Sequence, residues 1–130
     1  MARRIGYGET GTLDCASGGR PMCFHVARRP VDRLLGLIGQ RELGEGLLMA
    51  FPRCRSIHTL LMRVPIDVLW LGSPDADGWM DVLGSVDSLG PGRVAAGPRG
   101  TWCVAEARAG SVAGLVPTRV RVDCIRGGAR

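Results

Sequence analysis

The side chains able to do chemistry are few, and the densest group is Cys54-Arg55-Ser56-Ile57-His58. Alternate positions of an extended strand share a face, so a thiol, a hydroxyl and an imidazole could be brought together there. A histidine that takes the proton from Cys54 or Ser56 would make a nucleophile, provided that a third group orients the ring and an oxyanion hole is present. Asp67 is a possible third member, but no spacing ties it to His58, and Ser56 lacks the Gly-x-Ser-x-Gly elbow. A small hydrolase or thiol-dependent enzyme using Cys54 or Ser56 with His58 is therefore the second reading. Cys23-x-His25 and Cys54-x₃-His58 together offer four zinc ligands. Neither spacing follows the usual C-x₂₋₄-C or H-x₃₋₅-H patterns. The reading expects no metal and no cofactor.

A different chemistry belongs to Arg63, Asp67 and Glu106. Arg63 and Asp67 flank Pro65 within SIHTLLMRVPIDVLW, and Glu106 stands among Val104, Ala105 and Ala107. A carboxylate in an apolar run must find donors or a cation, since an unpaired buried charge is very unfavourable. Asp67 at a proline-induced bend is expected to accept backbone N–H bonds as a clamp. Glu106 has two accounts: pairing with Arg63 or Arg33 at a barrel end, which is the preferred one, or a functional carboxylate. Arg33, His58, Arg63, Asp67 and Glu106 make up the candidate ligand-binding patch, framed by the glycine- and proline-rich stretch 88–100. Asp75-Ala76-Asp77-Gly78 resembles the start of a calcium loop. Val86 stands where that loop needs glutamate, so a hairpin turn is preferred.

Short extended segments must position these residues. MCFHVA (22–27) and RVRVDCI (119–125) alternate with a period of two, while LLMAF, SIHTLLM, PIDVLWL, WMDVLGSV and TWCVAEARA are apolar runs between turn signals. One helix stands out over 30–39. Pro30 sits in the first turn, Val31, Leu34, Leu35 and Ile38 form one apolar face, and Gly39 follows as a stop. A helical turn is expected near 110–115, a hairpin loop at 73–78 and a long irregular loop at 88–100. About seven short strands with one helix predict a mainly β (α+β by content), small β-barrel-like domain, since closure removes exposed edges. The domain spans 1–126, with 127–130 frayed.

Composition narrows the function classes. The chain has 130 residues, 45% of them hydrophobic and 22% charged, which suits a folded core rather than disorder. Its net charge of +5 comes from 17 arginines without a lysine. They are scattered and aromatic residues are only 5%, so a nucleic-acid face is not expected. No apolar run is long enough for a membrane helix, and no apolar segment follows the early arginines as in a secretory leader. A cytoplasmic location, with the five cysteines as free thiols, is the expectation.

Four stretches in order resemble the domain-of-unknown-function family 192. Arg33-Leu34-Leu35-Gly36-Leu37-Ile38 with Arg41 is similar to the family's arginine, Gly-Leu-Met, arginine opening. Gly46-Leu47-Leu48-Met49-Ala50-Phe51 resembles its Gly-Met-Leu-Phe-x-Phe strand, and Val64-Pro65-Ile66-Asp67-Val68-Leu69-Trp70-Leu71 its Ile-Pro-Leu-Asp element. Val104-Ala105-Glu106-Ala107-Arg108-Ala109-Gly110 echoes Val-Leu-Glu-Leu-x-Ala-Gly. The similarity covers roughly residues 24–122. Here Ile57-His58-Thr59-Leu60-Leu61-Met62 replaces the Phe-Trp-Met-Lys-Asn-Thr of many members, and Pro117-Thr118 replaces a Gly-Asp turn. The resemblance implies a barrel-like domain without an established activity. The leading expectation is a noncatalytic binding or accessory module for a small molecule or protein.

Overall fold

The computed structural model describes residues 9–15, 17–26, 47–59 and 64–125. The strands are β1 (Glu9–Cys15), β2 (Gly18–Val26), β3 (Leu47–Pro52), β4 (Ser56–His58), β5 (Ile66–Leu71), β6 (Trp79–Leu89), β7 (Val94–Ala96), β8 (Cys103–Arg108) and β9 (Pro117–Val122). Seven of them close a barrel in the order β1-β2-β3-β8-β5-β6-β9, while β4 and β7 form a separate two-stranded ribbon. The chain is mainly β and barrel-like, as the sequence predicts. Among the described residues no helix is long and apolar enough to cross a membrane.

Neighbouring barrel strands are antiparallel except β2 and β3, which run parallel with Phe24 opposite Leu48. A parallel pair requires a crossover of a dozen or more residues, commonly helical. Residues 27–46 make that connection, and the helix predicted at 30–39 lies outside the described residues. The predicted turn near 110–115 is present as a short 3-10 turn, Ala113–Leu115.

Alternation decides what fills the barrel. Leu13, Phe24, Leu48, Leu69, Met80 and Val120 meet inside, with the small Cys103, Ala105 and Ala107 of β8 completing the packing. Mixed large and small inward residues are how a narrow barrel fills without voids. Val112, from the β8–β9 connection, and Ile125, just beyond β9, join the same core.

A second apolar cluster lies on the outer face of β3, β8 and β5: Met49, Phe51, Ile66, Val68, Trp70 and Val104, joined by Ile57 of β4. Strands buried on both faces read as continuous apolar runs, which accounts for the unbroken burial of IDVLWL.

Two strands depart from expectation. β1 was not among the predicted segments, and β7 lies inside the stretch expected to be an irregular loop. Backbone bonds extend the ribbon pairing beyond β4 and β7, from Thr59 N to Arg93 O at 2.7 Å and from Gly97 N to Arg55 O at 2.7 Å. The buried Thr59 hydroxyl also donates to Gly90 O at 2.6 Å. The ribbon rests on the sheet through Gly97, where a Cβ would stand 2.5 Å from Thr101 Oγ1 and 2.7 Å from the Trp70 ring.

Candidate functional site

The sequence-predicted polar residues divide by strand parity. Asp67 pairs with Ala107 across β5 and β8, so it shares the inward face with the alanine. Glu106 pairs with Val68 and, on the other side, with Met49, so it points outward. The proposed patch of Asp67 with Glu106 is therefore divided: the two carboxyls lie on opposite faces of one sheet. Arg33 and Arg63 lie outside the described residues.

Asp67 is the clamp that the sequence suggested. The β5–β6 register shifts between Ile66 and Val68, and Ser88 opposite the irregularity adopts a left-handed φ of 54°. Asp67 Oδ1 accepts the Ser88 N–H at 3.1 Å. Its Oδ2 accepts the N–H groups of Gly110 at 3.1 Å and Val112 at 3.2 Å. One carboxylate thereby holds a bulge and the turn after β8 to the same strand. With its oxygens so engaged, Asp67 does not orient an imidazole.

Glu106 is the opposite case. It is fully buried, and neither carboxyl oxygen has a hydrogen-bond partner among the described residues. Burial pushes its carboxyl from the ordinary 4.5 up to about 8, so it holds its proton at neutral pH. Its row on the outer face runs Met49, Glu106, Val68; the next row runs Phe51, Val104, Trp70. Sequence reasoning singled out Glu106 but not Met49, Phe51 or Trp70. Their signal was parity, since Met49 and Phe51 alternate within LLMAF, as Val68 and Trp70 do within IDVLW.

Of the candidate nucleophiles, Cys54 packs half-buried against this outer cluster, and the other two point away from it. Ser56 and His58 are exposed on β4, opposite Ala96 and Val94 of β7, while Ile57 between them is buried. The Cys54 thiol donates to Ser56 O at 3.0 Å, a contact within the turn entering β4. Cys23 is exposed and His25 half-buried on β2, where His25 pairs with Met49. Among the described residues no three His, Cys, Asp or Glu side chains are grouped to hold a metal ion, so Cys23, His25, Cys54 and His58 do not form a four-ligand set. Asp75 closes the predicted hairpin, its Oδ1 accepting the N–H groups of Asp77 and Trp79 at 2.9 Å each.

On the far side of the barrel, Arg119 and Arg121 lie over the Trp79 ring, 4.0 and 4.8 Å from its centroid. Arg119 Nε also bonds Asp14 Oδ2 at 2.9 Å, and Arg121 Nε lies 3.7 Å from Asp123 Oδ1. These arginines cross-link β1, β9 and β6.

Fold and site together define a small closed barrel with a carboxyl buried on an apolar outer face and left without a partner among the described residues. No family model matches the chain, and neither does any curated protein sequence. Crystal structures that share the fold include the following two. A protein of unknown function from Novosphingobium aromaticivorans superposes with a TM-score of 0.68 at 21% identity, covering 87% of this chain and 82% of that one. A "putative transcription regulator" from Sinorhizobium meliloti superposes with a TM-score of 0.72 at 22% identity, covering 92% and 96%.

Proposed function

We propose that this chain is a noncatalytic small-molecule-binding module of the domain-of-unknown-function family 192, with its site on the outer face of β3, β8 and β5 around Glu106. The observation that carries this reading is the Glu106 carboxyl, buried with both oxygens unpartnered among the described residues. Leaving a buried polar group without a partner costs about 1–3 kcal/mol, more for a charged one. Such an expense fits a group whose partner arrives from outside. The family assignment is supported by the four ordered motifs, two of which supply Asp67 and Glu106, and by a closed barrel that suits them. A transcription-regulator role through nucleic acid, by analogy with the Sinorhizobium meliloti protein, draws little support from Arg119 and Arg121, which are held by Trp79 and nearby aspartates. The enzyme reading loses Asp67 as orienting group.

Methyl NMR of Met49, Val68 and Val104 during a screen of small amphipathic fragments tests the proposal. Shifts at those methyls in wild type, retained in Cys54→Ala and His58→Ala and absent in Glu106→Met, are expected. Turnover of an activated ester that both Cys54→Ala and His58→Ala abolish would instead establish the enzyme and overturn the module.

A further inference from the structure

What surrounds Glu106 also says what would complete it. Residues directly opposite across paired strands have Cβ atoms about 4.5–5.5 Å apart, and diagonal neighbours about 7–8 Å, within reach of aromatic and long side chains. Met49 is directly opposite Glu106, and Phe51 and Trp70 are its diagonal neighbours, one on each adjoining strand. The carboxyl thus stands between Met49 and Val68 directly opposite, with two aromatic residues diagonal to it, on the outside of a sheet whose other face is the closed core. We propose that Glu106, Met49, Phe51 and Trp70 recognise an organic monocation, an ammonium group on an apolar body, which displaces the Glu106 proton on binding. The inference rests on the reading of this face as a ligand site and adds the chemistry of the ligand.

The competing ligand classes fit less well. A hard divalent cation wants six or more oxygen ligands, whereas these rows offer one carboxyl. An anion would be repelled as soon as Glu106 ionised. A neutral amide could bond the protonated acid but would draw nothing particular from two aromatic faces. A cation gains from both, because ring faces attract positive charge and a charge-assisted hydrogen bond is about twice as strong as a neutral one.

Ionisation is no great obstacle. With the carboxyl titrating near 8, surrendering its proton at pH 7 weakens binding only about tenfold. One proton passes from Glu106 to solvent as the ammonium takes its place, so charge balances at the site. Among the described residues, the other charged or titratable groups on this face are Arg108, exposed two residues along β8, His25 and the exposed Cys23 on β2 beyond β3, and Cys54, half-buried against the cluster. The net charge of +5 opposes a cation only at long range, and salt screens it beyond about 8 Å under physiological conditions. The β4–β7 ribbon, two three-residue strands outside the barrel, packs on this face through Ile57 and, at Gly97, on Trp70.

The test follows the Glu106 side-chain carboxyl by carbon NMR through a pH titration, alone and with n-butylammonium, n-butyramide or 1-butanol. Without a probe, Glu106 is expected to titrate near 8. Saturating n-butylammonium should lower that value by two or more pH units, and its affinity should rise about tenfold between pH 6.5 and 7.5 and level off above 8. Calorimetry in buffers of different ionisation heat should find one proton released per cation bound. Glu106→Gln should weaken n-butylammonium at least tenfold, with Phe51→Leu and Trp70→Leu each weakening it severalfold. A wild-type Glu106 that titrates below 5 without a probe would mean that one of the chain's own cations already holds it, and the inference fails. Butyramide binding more tightly than butylammonium, and more weakly above pH 8, would overturn the cation while leaving the ligand site standing. No shift at Met49, Val68 or Val104 with any probe would overturn both.

Discussion

Replacing Glu106 with glutamine removes one titration while keeping the shape of the side chain. In the folded state the carboxyl titrates near 8, against an ordinary value of 4.5 in an unfolded chain. The folded protein therefore binds this proton more tightly than the unfolded one. The resulting stability is complete below pH 4.5 and is lost progressively as pH rises, with no further loss once 8 is passed. At about 1.36 kcal/mol per pH unit, the gap comes to roughly 5 kcal/mol across that window. A domain of this size has only about 5–15 kcal/mol in hand, so the effect should dominate its alkaline stability. Urea denaturation at pH 5, 7 and 9 under reducing conditions, comparing wild type with Glu106→Gln, isolates it because every other group titrates in both proteins. The wild-type midpoint should fall relative to the variant between pH 5 and 9 at unchanged slope. Glu106→Met, which also removes the buried polar group, should exceed wild-type stability by several kcal/mol at pH 9. A wild-type-minus-glutamine difference that stays constant across those three pH values would refute the reasoning, because Glu106 would then have a partner or access to water.

Asp67→Ala orphans the N–H groups of Ser88, Gly110 and Val112 and should destabilise by more than about 3 kcal/mol in urea titrations, given about 1.5–3 kcal/mol for a hydrogen bond to a charged group. Asp67→Asn should recover part of that loss, since its one carbonyl oxygen still accepts. Gly97→Ala drives a methyl into Thr101 Oγ1 and the Trp70 ring, and a loss of about 1–3 kcal/mol should appear in fluorescence-monitored unfolding. Arg119→Ala should cost less than about 1 kcal/mol, and less again in high salt, because its ion pair with Asp14 is partly exposed.

The barrel was legible wherever one strand face meets water or both faces meet protein. Val120 and Val122 alternate with arginines in β9, and IDVLWL shows the unbroken run of a strand covered on both sides. β1 escaped because its inward positions include Gly11, a residue with no apolar signature. The Phe24 ring fills the space where a side chain would stand, so the strand's contribution to the core is made by its neighbour. β7 escaped because its three residues lie among glycines and prolines, and pairing with β4 rather than any local preference makes it a strand. The site was half legible. A carboxyl within VAEA is conspicuous in any reading, but its facing partners depend on which strands pair and in what register. β8 lies between β3 and β5, far from its sequence neighbours, so no local pattern announces Met49, Phe51 and Trp70 beside Glu106.

Asp67 and Glu106 make the functional argument by contrast. Both are fully buried carboxyls, on adjacent strands of one sheet. They were drawn from the same kind of apolar run and are related by a parity the sequence could not supply. Around Asp67 the backbone has been shaped to serve it: a left-handed Ser88, a register shift and the turn after β8 all aim N–H groups at its oxygens. Removing that carboxylate should loosen the fold, which is how a structural residue behaves. Around Glu106 no such accommodation exists among the described residues, where neither carboxyl oxygen accepts a hydrogen bond. Replacing the acid with an apolar residue of similar size is expected to raise stability, as the urea comparison with Glu106→Met tests. Among the described residues, the sheet provides fully for one buried acid and gives the other no hydrogen-bond partner, which is the contrast on which the proposed ligand site rests.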